Sequence, residues 1–233
     1  MTVLHLADVG EAADLAAFLS RLIHYDRAAA VRLQAAGTAL AVFGRPPSFE
    51  VLAVRAVRLA KPYENGLDVS LDVTVSAGEL LEAVDESAAT AAVPAAVTGP
   101  PWAGVLPPRG GWRAEPGLPE PERLRAMVAA AVAEFRSRTQ ELAPEQRTRS
   151  ELDRVGREIW SRTVGDTPLT VRAVHAAQSL GFLRPSAVSE STRAPEDAPL
   201  GLFSSGAWLR LRTPYGSIAV RRAGLGTLDV SVR

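Results

Sequence analysis

Cysteine is absent from the 233 residues, which removes disulfides, thiol nucleophiles, thiolate zinc sites and iron–sulfur ligation at once. Lysine is nearly absent: Lys61 stands alone and is followed by Pro62, so no Gly-Lys-Ser/Thr phosphate loop exists. The three histidines, His5, His24 and His175, have no partner at metal-ligand spacing, and no His-Glu-x-x-His occurs. Gly-x-Ser-x-Gly is missing, and Gly224-Leu-Gly226 lacks the third glycine and following helix of a dinucleotide-binding turn. The longest apolar helical run, Ala126 to Ala133, lies between Arg125 and Glu134 and is less than half a bilayer span. Residues 1–10 carry no Lys or Arg, unlike the basic start of a signal peptide. The expected location is the cytoplasm, with no membrane contact and no cofactor.

The chain is 47% apolar and 22% charged, with 26 basic residues balanced by 26 acidic ones. That describes a globular protein of one large or two small domains, able to bury roughly 70–75% of its unfolded surface. Charge is nonetheless uneven. Residues 1–119 hold 9 basic and 13 acidic side chains, whereas residues 120–233 hold 17 and 13. The second half can therefore dock on the first or meet an anion. Twenty-five of the basic residues are arginines in a chain rich in Ala, Val, Gly and Pro, so composition explains part of every arginine cluster.

Periodicity divides the chain into an α+β half over 1–86, a Pro/Gly/Trp-rich arm over 87–119, and a helical bundle with a β-hairpin over 120–233. In the first half, Ala12, Leu15, Ala16, Leu19, Leu22 and Ile23 form one helical stripe. Strands follow at 31–35 and 39–43, and 50–60 is apolar on both faces, as a central strand should be. The strictest alternation runs from Leu67 to Ser76 after an Asn65-Gly66 turn. Ser76 and Glu79 then form a capping box that opens a short helix. The arm, densest in proline over 99–112, is expected to contain no central strand and to lay Trp102 and Trp112 on the body. In the second half, Pro121, Pro144 and Thr167-Pro168 start three helices, the last ending at Gly181. Glu145/Arg149, Asp153/Arg157 and Glu158/Arg162 stand at i,i+4 spacing. Residues 184–199 read as a loop, and strands return at 207–212, 218–222 and 228–232.

Leu52-Ala-Val-Arg55 followed by Leu67-Asp-Val-Ser70 is echoed by Ile218-Ala-Val-Arg221 followed by Leu228-Asp-Val-Ser231. A duplication would make the halves related modules, each a small, mainly antiparallel sheet with helices, packed about a pseudo-twofold. Chance under this composition is the competing explanation.

Three groups of residues could carry function. Asp68 and Asp72 share one strand face and could dock a basic partner, although a solvated face looks the same. Trp102 and Trp112 could present a pre-ordered clamp to a protein or simply strap the body. The order helix, helix, helix, hairpin mimics a winged helix, with Arg172 and His175 on its third helix and Arg210, Arg212, Arg221 and Arg222 on the would-be wing. His24 and Asp26 read as the end of a helix. The leading expectation is a non-catalytic protein acting through protein–protein contact, with a homodimer compatible. A winged-helix-like DNA-binding regulator is the alternative. The hairpin decides between them: built into a shared core it favours the first, projecting it favours the second.

Overall fold

The computed structural model describes residues 2–60, 71–185 and 200–222. The turn at 65–66, Asp68, the glycines at 224 and 226, the strand at 228–232 and both second elements of the echo lie outside the described residues. Most of the expected loop over 184–199 does too.

The architecture is α+β, with two antiparallel sheets and five helices among the described residues. Helix α1 (Val9–Tyr25) begins at Asp8, whose side chain accepts from the Glu11 amide at 2.9 Å. Its apolar stripe, including Leu15, Leu19 and Leu22, is buried. Strands β2 (Ala30–Ala36), β3 (Ala39–Gly44) and β4 (Leu52–Arg58) form a meander, and β5 (Asp72–Ser76) pairs outside β2. The expected capping box forms: Ser76 Oγ accepts from the Glu79 amide at 3.4 Å at the start of α2 (Ala77–Glu82).

A small sheet unites β1 (Val3–His5), β6 (Val84–Asp85) and β7 (Thr90–Ala92), with β7 in the middle. This corrects the expectation that 87–119 holds no central strand. The backbone amides of 90–92 are all available because the first proline of that segment is Pro94.

In the second half, α3 (Pro121–Glu141), α4 (Arg149–Trp160) and α5 (Val171–Ser179) pack on one another. Pro144 opens only a 3-10 turn, and α4 is capped instead by Thr148. Thr167 and Pro168 precede the third helix: Thr167 Oγ1 donates to Val164 O at 2.6 Å and closes a turn, and α5 starts after Thr170. Of the three i,i+4 pairs expected here, Asp153 lies 4.0 Å from Arg149, and Arg154 and Arg138 both reach Glu158. Arg162 crosses to Glu134 on α3. Helix-to-helix proximity selects partners that spacing along one helix does not show.

Strands β9 (Gly201–Ser205), β10 (Trp208–Thr213) and β11 (Gly216–Arg221) form a second meander, with β8 (Arg113–Glu115) outside β9. The two meanders fuse. Ala53 of β4 faces Ile218 of β11 across a three-residue ladder, completing one eight-stranded sheet of order β5-β2-β3-β4-β11-β10-β9-β8.

Each half therefore runs helix, strand, strand, strand, with α1 against β4 and α5 against β11. The first element of the echo occupies the two strands that meet at the seam. Duplication would produce that placement. One continuous core of aliphatic side chains from both halves fills the helix side, including Leu33, Val42, Val57, Leu211, Ile218 and Val174. Among the described residues no helix is long and apolar enough to cross a membrane.

Candidate functional site

Alternation along the strands assigns each side chain to a face. Leu211 and Ile218 point into the helix-side core and Leu209 is buried on the same face, so Trp208, Arg210 and Arg212 of β10 project from the other face. Ser217 and Ala219 lie opposite Arg212 and Arg210 in register and share that face. Phe43, Leu52, Val54 and Ala219 form a small second core there, covered by Trp102 and Leu106 of the arm.

The arm is fastened at several points. Arg32 Nη1 donates to Ala103 O, the Val97 amide donates to Thr74 O at 2.9 Å, and Ser205 Oγ donates to Gly110 O at 3.3 Å. The Trp112 indole donates to Pro108 O at 3.0 Å. Trp102 thus packs on the sheet face, while the Trp112 indole is tied back to the arm itself.

The strap leaves two troughs on this open face. One, of about 580 Å³, runs between the arm prolines Pro107 and Pro108 and Phe43 of the sheet. The other, of about 420 Å³, lies where the β4–β11 ladder ends and holds Arg58 and Arg212. Val54 and Arg210 line both.

Arg210 is the distinctive group. Its Nε donates to Ser217 Oγ at 2.9 Å and its guanidinium carbon lies 5.7 Å from the Trp112 ring centre. It has no carboxylate partner among the described residues. Burial lowers its pKa from the ordinary arginine value, and the neighbouring Arg212 charge lowers it further. A desolvated guanidinium beside a like charge is electrostatically incomplete without an anion. Arg221 lies over the Trp208 ring at 5.7 Å and also lacks a carboxylate partner among the described residues.

Asp72 does not make this face acidic. Arg32 holds it through bonds of 2.7 and 2.9 Å and Gln34 adds a third at 3.1 Å, which keeps its carboxyl below the usual range. Its partner comes from the paired strand β2, a proximity invisible to spacing. No group of three or more metal-ligating side chains occurs among the described residues.

The winged-helix arrangement is also corrected. The hairpin of β10 and β11 does not project: β4 pairs with one edge and β9 with the other. Arg172 and His175 sit on α5 on the helix side, away from Arg210 and Arg212. Arg172 pairs with Glu50, and Arg222 pairs with Glu115 at 3.0 Å. His175 stacks on Trp160 at 4.7 Å and meets the edge of Phe49 at 5.2 Å, and burial depresses its pKa.

Beneath the second trough, Arg55 is the internal counterpart of Arg210. It is 5% exposed, reaches Glu11 at 2.7 Å and Asp14 at 3.3 Å, and donates to Tyr215 O of the other half at 2.8 Å. Its position inside an otherwise apolar strand was the available sequence signal. Trp208 was readable only as an alternating strand residue, and Trp160 and Phe49 only as members of helix and turn.

No curated protein and no solved structure matches the chain. Residues 1–104 match the family described as Domain of unknown function (DUF8010). Residues 107–225, just over half of the chain, match Domain of unknown function (DUF8185), and the protein belongs to that family.

Proposed function

We propose that this is a non-catalytic binding protein that works through protein–protein contact, its open sheet face receiving an extended acidic segment of a partner. The observation that carries this reading is Arg210, a desolvated guanidinium without a carboxylate, positioned where two troughs meet. An incoming Glu or Asp would complete it with a charge-assisted hydrogen bond. Arg221 adds to the positive potential of the approach, whereas Arg58 is balanced by Glu11 and Asp8. The arm forms one wall and is already ordered, so docking beside it costs little conformational entropy. An acidic peptide fits better than nucleic acid because Trp112 and Trp208 already carry guanidinium groups over their rings, where single strands would need ring faces for stacking. A cysteine-free chain also suits a reducing interior, and the cytoplasm is the compartment proposed.

Fluorescence anisotropy of the full chain with a labelled Glu-rich 20-residue peptide, beside a single-stranded DNA 20-mer, tests this across a salt series. The peptide should bind, weaken with salt, and lose about ten-fold in affinity with Arg210→Gln. Exposed Arg221→Gln should lose less. Tighter binding of the DNA, sensitive to the same variants, would replace this reading with a nucleic-acid one. Binding of neither, at low salt, would overturn it.

A further inference from the structure

Phe43, Val54 and Ser217 stand opposite one another on β3, β4 and β11 and form one row across the open face. Arg210 donates through Nε to Ser217 Oγ at 2.9 Å, which anchors its guanidinium at the β11 end of that row. At the β3 end, Ala39 and Ala41 line the trough of about 580 Å³ together with Pro107, Pro108 and Leu71. Phe43 and Val54 are buried, but Ala39 is exposed and Ala41 half-buried, so their methyl groups are not used up by the small core beside them. Two alanines at successive outward positions of a strand, facing prolines, leave a shallow apolar recess.

The recess by itself names no ligand. The charges around the trough do. Asp72 is the one carboxylate among its described lining residues, and it is taken by Arg32 and Gln34 with the charge of Arg109 close by. An incoming acid at that end would meet Asp72. Arg210, which lines the other end, has no carboxylate partner among the described residues. A segment lying in the trough is therefore oriented, with its acidic side chain toward Arg210 and an apolar one over the alanines.

The sheet also sets the distance between the two. Neighbouring strands lie about 4.8 Å apart, so β3 and β11, two strands apart, are separated by about 10 Å, which an extended chain covers in about three residues.

We propose that the open face reads a two-part motif in its partner, an acidic side chain on Arg210 and an aliphatic side chain about three residues away in the recess at Ala39 and Ala41. The motif rests on the docking of an acidic segment at Arg210 and adds the apolar anchor that selects among such segments.

Labelled dodecapeptides carrying Leu-Ser-Ser-Glu-Ser-Ser-Leu, in which the two leucines serve either chain direction, test this by anisotropy with the full chain at low salt. Replacing both leucines by alanine should weaken binding about ten-fold, and replacing the glutamate by glutamine should do the same. Ala41→Gln, which fills the recess, should erase the advantage of the leucine peptide and leave the alanine peptide unchanged. Equal affinity for the leucine and alanine peptides would overturn the motif while leaving acid docking in place, and a leucine preference that survives Ala41→Gln would overturn the recess as its seat. Equal affinity for the glutamate and glutamine peptides, or binding of none, would overturn both the motif and the acid docking beneath it.

Discussion

The two faces of the eight-stranded sheet share one backbone ladder and differ in nearly everything attached to it. The helix-side face is a continuous aliphatic layer to which all five helices contribute, and among the described residues Arg55 is its one deeply buried cation. The opposite face carries a small apolar patch around Phe43, Leu52 and Val54 beside the arginines and tryptophan of β10, under a single strap. The difference teaches how placement determines the role of the same residue type. Arg55, clamped by Glu11 and Asp14, joins the halves. Arg210, one strand beyond the seam and on the other face, keeps its guanidinium without a carboxylate.

If that contrast is right, Arg55→Ala should be the most damaging of these changes, because it takes from buried Glu11 the deeper of its two arginines and leaves only the exposed Arg58, at 2.9 Å. A loss of about 3 kcal/mol, the low end for a broken buried pair, is expected in urea unfolding. Replacing both partners, Glu11→Leu with Arg55→Leu, should recover most of it, since matched apolar side chains avoid the desolvation cost. A double variant as unstable as the single one would show that the pair organises more than charge.

Trp102→Ala addresses the strap face. It should lower stability by about 1–2 kcal/mol, below the 3–5 of a fully buried indole. Hydrogen exchange should show the Ala103 and Val105 amides losing protection while the β3–β4 ladder keeps it. Uniform loss would mean that the strap and the sheet unfold as one.

The smallest effect belongs to His175. Burial favours its neutral form, so the folded state binds this proton less readily than the unfolded one. Stability should fall as pH drops below about 6.5, at no more than about 1.4 kcal/mol per pH unit for one proton. The component should vanish in His175→Gln when urea midpoints are compared between pH 7.5 and 5.5. The carboxylates held low by arginines, such as Glu134 beside Arg162, lose their contribution only at more acid pH.

Local structure was largely readable from the residues. Apolar runs locate β3 and β4, alternation locates β2 and β5, the spacing of Ser76 and Glu79 places α2, and the echo marks the two strands that fuse at the seam. Strand partners were less accessible. The short strands β1, β7 and β8 have too few residues to show a period, and β9 ends in two serines that break the apolar pattern. The candidate site was half readable. Arg210 and Arg212 were singled out, but on a projecting wing, because a hairpin's sequence does not say what pairs with its edges. Asp72 looks like an exposed charge in the sequence because Arg32 reaches it only after β2 and β5 pair.

The seam has one more consequence, for how the polypeptide is made. The edge of β4 that will meet β11 is a row of backbone donors and acceptors beside apolar side chains. It is synthesised about 160 residues before its partner, β4 ending at Arg58 and β11 beginning at Gly216. At roughly 5–20 residues per second on the ribosome, the nascent first half waits about 8–30 s with an unpaired central edge. Such an edge is open to capture by other chains, so slow translation of the second half should raise aggregation more than an equal delay after residue 222.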